Sequence, residues 1–144
     1  MKNIIRNFLL MALLIAHSGA LFAQSVSKTF TKSFHLDGHK TVQLDLPGNI
    51  EVKKWDSPTL RFEITVSTGG NCSAAMLDEL ARVGRYDIVM HPQGGLAHVD
   101  APNLKRTVKA KGTEIKENIG FVVFAPQNVQ IVLPASALTA ATPQ

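Results

Sequence analysis

Cysteine, tryptophan and tyrosine each occur only once in this 144-residue chain. Because Cys72 stands alone, no disulfide bond can form within the chain, and packing and hydrogen bonds must hold the fold together. Long hydrophobic runs are also missing. The longest run, residues 8–16, is well short of the roughly 20 apolar residues that cross a bilayer. The sequence therefore predicts a protein that is not an integral membrane protein.

The first 23 residues have the pattern of an export signal. Lys2 and Arg6 give a basic start, the apolar run follows, and small residues lead to Ala23, near which we predict cleavage. Removing this segment takes two of the 15 basic residues and none of the 11 acidic ones, so the net charge falls from +4 to +2. We expect an exported protein, located in the periplasm, on the outer surface or outside the cell. So small a charge, without an arginine-rich arm, predicts no nucleic-acid partner.

Alternation of apolar and polar residues dominates the rest of the chain and is typical of strands with one buried face. Residues 73–83 differ, because their apolar residues recur at helical spacing, with Asn71 or Ser73 as the cap and Gly84 beyond the end. We predict a single β-rich domain over residues 24–134. It is mainly β, with an antiparallel or solenoid-like sheet and one short α-helix at about residues 73–83. Residues 135–144, uncharged and without periodicity, predict a disordered tail.

Several strands are predicted in the second half of the chain. One is expected to start at Tyr86 and one to run over residues 104–110. A third, residues 115–124, becomes almost wholly apolar after Ile119, which predicts burial on both faces.

The stretch VQLDLPGNIEVKKWDSPTLRFEITV (residues 42–66) places a Pro-Gly-Asn turn between two alternating strands, and FVVFAPQNVQIVLP (residues 121–134) places a Pro turn between two more. With the helix between them, this pattern resembles the opening part of bacterial exported adhesin-like proteins with β-strand repeats, over residues 28–134. The resemblance implies a non-enzymatic surface-interaction protein with no catalytic residues. The sequence does not identify its partner, and an envelope glycan and another envelope protein are the two candidates. The repeated Gly-x-Val-x-Val rungs of such proteins are not found in this sequence.

A basic stretch, LKRTVKAKG, offers a candidate ligand-binding surface. In a strand, Lys105, Lys109 and Lys111 would share one face and could meet an anionic ligand, although such a row also serves as a solvated strand or a protected sheet edge. Trp55 is a candidate for stacking on a sugar ring, or else covers the edge of the sheet. The alternative function is therefore a periplasmic module that binds a glycan or an anionic ligand.

His35, Asp37 and His39 are the nearest approach to a metal site, but Asp37 and Gly38 also suit a tight turn, and we predict the turn and no metal or cofactor. His91 and His98 are expected to face each other across a hairpin. No Gly-x-Ser-x-Gly elbow or nucleotide-binding glycine loop occurs, and the carboxylates fall on solvent-facing positions, so we expect no enzymatic activity.

Overall fold

The computed structural model describes residues 25–69 and 72–134. The predicted export signal and C-terminal tail lie outside these residues. The described part is mainly β with a single α-helix, as predicted. The strands are β1 (Val26–His35), β2 (Thr41–Asp45), β3 (Asn49–Trp55), β4 (Thr59–Thr68), β5 (Val89–Gln93), β6 (Leu96–Asp100), β7 (Lys109–Ala110), β8 (Thr113–Glu114), β9 (Glu117–Pro126) and β10 (Gln130–Val132).

Two four-stranded sheets carry the fold, and both contain parallel as well as antiparallel pairs. The first sheet has the order β1-β4-β9-β3, in which only the β3–β9 pair is parallel. The second has the order β10-β2-β6-β5, in which β2 is parallel to both neighbours. Apart from the β5–β6 hairpin, every pair in these two sheets joins strands that are not consecutive in the sequence. β7 and β8 form a separate hairpin.

Inner faces of both sheets contribute to one hydrophobic core. Leu44 and Val99 come from the second sheet, Phe62 and Val123 come from the first, and all four are fully buried. Each such side chain contributes about 1.5–3 kcal/mol through its removal from water. The apolar half of β9 was predicted to be buried on both faces. Its inner face is buried, but its outer face, including Phe124, is only half-buried.

The helix, α1 (Ala74–Arg82), agrees with its prediction. Ser73 caps it, because its Oγ accepts a hydrogen bond from the Met76 backbone N–H at 3.2 Å. Leu77 is completely buried against the sheet. Gly84 takes the left-handed conformation, with φ of 81°, that ends the helix, and the Arg85 backbone N–H returns to the Leu80 carbonyl.

Two predicted strands differ from the structure. The strand expected over residues 104–110 is wrong: Pro102–Lys105 is a 3₁₀ helix, and strand pairing is confined to Lys109–Ala110. Pro102 suits the first turn of a helix because it has no N–H to leave unpaired, and the turn buries Leu104. The strand expected from Tyr86 begins only at Val89, since residues 84–87 form a turn closed by the Asp87 N–H on the Gly84 carbonyl.

Candidate functional site

The chain between β6 and β9 forms an arm on the surface, here called the cationic arm (residues 102–116). It consists of the 3₁₀ helix followed by the β7–β8 hairpin. The two-residue turn of the hairpin is Lys111-Gly112, with φ of 49° and 81°, the conformation that tight hairpins require. Leu104 and Ile115 are buried and attach the two ends of the arm to the hydrophobic core.

A buried arginine fixes the base of the arm to the turn after α1. Arg85 Nη1 donates to the backbone carbonyls of Asn103 and Arg106, the latter at 2.7 Å. In the other direction, Asn103 Nδ2 donates to the Gly84 carbonyl at 2.9 Å. These bonds add to the backbone bond from the Arg106 N–H to the Asn103 carbonyl, so the base of the arm has a defined position.

Glu117, the first residue of β9, compensates the charge of Arg85. Its Oε2 lies 2.6 Å from Arg85 Nη2, and its Oε1 accepts a hydrogen bond from the Tyr86 hydroxyl at 2.7 Å. Burial, followed by the hydrogen bond to Glu117, raises the pKa of Tyr86 well above its usual range. The Tyr86 ring stacks on Phe30 of β1, with centroids 5.1 Å apart. This cluster holds helix, arm and first sheet together.

A groove of about 540 Å³ lies between the arm and the turn before β3. Gly48 makes the turn side, with φ of 95°, and a Cβ there would lie 2.3 Å from the Ile119 carbonyl oxygen. Arg106 and Lys116 are exposed residues among those that line the groove, and the exposed Lys109 and Lys111 extend from the neighbouring hairpin. Within residues 25–69 and 72–134, none of these four cations takes part in an ion pair.

Lys105, the first of the predicted ligand-binding lysines, forms an ion pair within the fold. Its Nζ lies 2.8 Å from Asp45 Oδ2 on β2, and this hydrogen bond raises the pKa of Lys105. Lys109 lies on β7 and Lys111 in the hairpin turn, so the three lysines do not form one face of a strand. They nevertheless belong to one arm. Sequence reasoning did not include Arg106 and Lys116 in the candidate site, because their placement depends on the 3₁₀ helix and the hairpin.

Trp55 is not part of this site. The groove adjoins Asn49 at the start of β3, while Trp55 ends the same strand, roughly 20 Å away at about 3.3 Å per residue. Its indole N–H donates to the Thr59 carbonyl at 2.9 Å, and its ring packs against Phe124, with centroids 5.6 Å apart. The structure therefore places Trp55 over the outer face of the first sheet, apart from the lysines.

The other candidates are local features of turns and hairpins. Asp37 and Gly38 form the predicted turn, with φ of 47° and 87°, and the His39 N–H donates to the Leu36 carbonyl at 2.9 Å. His35, Asp37 and His39 do not constitute a metal-ligand cluster, and the described residues contain no group of three or more such side chains that could hold a metal ion. His91 and His98 face each other between β5 and β6, as predicted.

The groove is lined by four cations (Arg85, Lys105, Arg106 and Lys116) and two carboxylates (Glu114 and Glu117), so positive charge is in excess. Its buried carboxylate, Glu117, is held by Arg85 and Tyr86, whereas its exposed cations are available to a ligand. No helix among the described residues is long and apolar enough to cross a membrane. Comparisons with protein-family models, with curated proteins and with solved structures give no match to this chain.

Proposed function

We propose that the protein is a non-enzymatic, exported module that binds an acidic glycan of the cell envelope through the cationic arm and its groove. The observation that carries the proposal is the set of four exposed cations without an ion-pair partner in the described chain: Arg106, Lys109, Lys111 and Lys116. These cations outnumber the one carboxylate of the arm, Glu114, which lies opposite Lys109 in the hairpin. A surface with excess positive charge attracts an anionic ligand and increases its rate of association.

The spacing of the charges favours a polymer over a small anion. Lys109 and Lys111 lie on the hairpin, while Arg106 and Lys116 lie along the groove at its base, so the cations are spread along the arm rather than gathered around one point. An acidic polysaccharide repeats its negative charges along its length and can meet such an array. The fixed base of the arm supports this role, because a positioned array loses less conformational freedom on binding.

The resemblance to exported adhesin-like proteins and the predicted export signal support the same proposal, since both bring the chain to a compartment in which polysaccharides are present. Cell fractionation with protease accessibility tests this part. We expect the chain outside the cytoplasm, and a strictly cytoplasmic chain would overturn it.

The binding test compares two variants with the same change of charge. In the arm variant, Lys109, Lys111 and Lys116 are changed to Gln. The control changes three lysines that lie elsewhere in the described fold to Gln: Lys32, Lys40 and Lys53. Retention on an immobilised polyuronate is measured against increasing salt. Exposed charges act over a Debye length of about 10 Å at 0.1 M salt, so charge-driven retention must weaken as salt increases.

We expect the arm variant to elute at clearly lower salt than the parent, and the control to elute close to the parent. Equal loss of retention in both variants would show that only total charge matters and would contradict the proposal. Retention of the arm variant at the parent's level would contradict it too. If the parent does not bind the polyuronate and captures an envelope protein instead, the partner is a protein and not a glycan.

A further inference from the structure

The outer face of the second sheet presents a pair of histidines that the proposed function does not use. His91 on β5 and His98 on β6 are directly opposite in the antiparallel register, and their ring centroids lie 5.0 Å apart. Gly94 and Gly95, with φ of 57° and 88°, form the two-residue turn that fixes this register. The imidazoles are therefore held together by a short, well-defined hairpin.

We propose that His91 and His98 form a binding site for a divalent transition-metal ion of the Zn²⁺, Cu²⁺ or Ni²⁺ type. Imidazole nitrogen is a preferred ligand of these ions, at a metal–nitrogen distance of about 2.0–2.1 Å. Two imidazoles on one such ion have ring centroids roughly 4.5–5.3 Å apart, for ligand angles between square-planar and tetrahedral. The observed 5.0 Å lies within this range, so the spacing of the two rings fits a shared ion.

Unpaired polar atoms lie on the same face of β6. His98 Nδ1 and Asp100 Oδ1 are both buried, and neither has a hydrogen-bond partner in the part of the chain that the structure describes. Buried polar atoms are normally paired, and a bound water or ion is one of the ways in which such atoms are satisfied. A metal ion carrying water molecules would supply donors to the Asp100 carboxylate. Metal-bound histidines also commonly involve their second nitrogen in a contact with a carboxylate or water.

The surrounding charge favours a cation. Asp100 is the register partner of Asp45 on β2, and in the described part of the chain the ion pair made by these two carboxylates is that of Asp45 with Lys105. One negative charge is thus left beside the histidine pair. Gln43, the partner of His98 on β2, is uncharged and adds no repulsion. With two protein ligands, water completes the coordination of the ion.

Calorimetric titration of the purified full chain with ZnCl₂ and with CuCl₂ tests the proposal. The variants His91→Gln and His98→Gln each remove one ligand. The control is the double variant His35→Gln/His39→Gln, which removes two histidines from the β1–β2 turn. We expect one site per chain, at least a tenfold loss of affinity in each single variant and an affinity of the double variant within twofold of the parent. MgCl₂ should give no comparable binding, because Mg²⁺ prefers oxygen ligands.

Parent-like affinity in His91→Gln, or loss of affinity in the His35/His39 control, would overturn the site. Because His91 is exposed on an edge strand, His91→Gln should fold even if the partly buried His98 does not tolerate replacement. A second readout is the histidine Cε1–H signal in nuclear magnetic resonance spectra. Substoichiometric Cu²⁺ should broaden the signals of His91 and His98 before those of the other histidines, and uniform broadening would count against the pair.

Discussion

The guanidinium of Arg85 and the carboxylate of Glu117 form an ion pair at 2.6 Å in which both side chains are at least nine-tenths buried. The partners are separated by 32 positions in the sequence. They join the turn after α1 to the start of β9, and the same arginine holds the base of the cationic arm through two carbonyls. One charged contact therefore connects the fold to the proposed binding surface.

Replacing Glu117 with Gln should destabilise the protein strongly. Arg85 would keep its charge in a buried position with no compensating carboxylate, a change that typically costs about 3–5 kcal/mol. Urea unfolding, monitored by circular dichroism, measures the difference in the free energy of unfolding between the variant and the parent. Glu79→Gln is the matched control, since it breaks the exposed pair with Arg82 and should leave the unfolding midpoint almost unchanged. Comparable midpoints for the two variants would contradict the role assigned to Glu117.

Alkaline conditions should destabilise the protein through Tyr86. Burial, together with the hydrogen bond to Glu117, raises the pKa of Tyr86 in the folded state, while an unfolded tyrosine loses its proton near pH 10. The folded state therefore binds more protons above that pH, so the free energy of unfolding decreases as the pH rises from about 10. Below that range, this contribution to stability is fully present.

The sequence contains one tyrosine, so phenolate absorbance reports Tyr86 alone. We expect phenolate to form only as the protein unfolds, in step with the loss of circular dichroism. In Tyr86→Phe, the free energy of unfolding should decrease less steeply above pH 10, because unfolding then releases one proton fewer. Phenolate formation near pH 10 in a protein that remains folded would show that the hydroxyl is not confined as the structure indicates.

Gly48→Ala should destabilise the protein much more than Gly38→Ala. Both glycines have positive φ, for which a residue with a Cβ costs about 1–2 kcal/mol. At Gly38 the new Cβ meets open space, whereas at Gly48 it would collide with the Ile119 carbonyl oxygen. Forcing that backbone apart should add roughly 1–3 kcal/mol. Urea denaturation of both variants isolates the close approach, and equal losses of stability would exclude it.

Ser73→Ala should lower stability by about 1 kcal/mol, because the Met76 N–H loses the side-chain oxygen that caps α1. The free energy of unfolding from urea titration gives this difference. Ser33→Ala is the control, as Ser33 is exposed on β1 and should have little effect. If both variants were as stable as the parent, the cap would contribute nothing measurable.

Features specified by neighbouring residues were predictable from the sequence. Helix α1 has its cap at Ser73 and its left-handed residue at Gly84, so its limits were evident from local signals alone. Likewise, the turn at Gly94 and Gly95 sets a two-residue hairpin, from which the pairing of His91 with His98 follows directly. Alternating burial in β4 was equally clear.

Features that depend on distant contacts were not predictable. The basic stretch alternates like a strand, but Leu104 is buried in the core and Arg85 bonds the Asn103 and Arg106 carbonyls, and these tertiary contacts stabilise a 3₁₀ turn instead. For the same reason, no local signal links Arg85 to Glu117. Trp55 and the lysines looked like parts of one site only because the sequence does not reveal that opposite ends of β3 separate them.

The central position of β9 has a consequence for the order of folding. β9 lies between β4 and β3 and follows both in the sequence, so neither neighbour has its partner on that side until residues 117–126 are available. Pairings between such distant segments slow folding, because a long loop must close before they form. The first sheet can therefore be completed only after residues 117–126 have been synthesised, and until then β3 and β4 each have an unpaired edge.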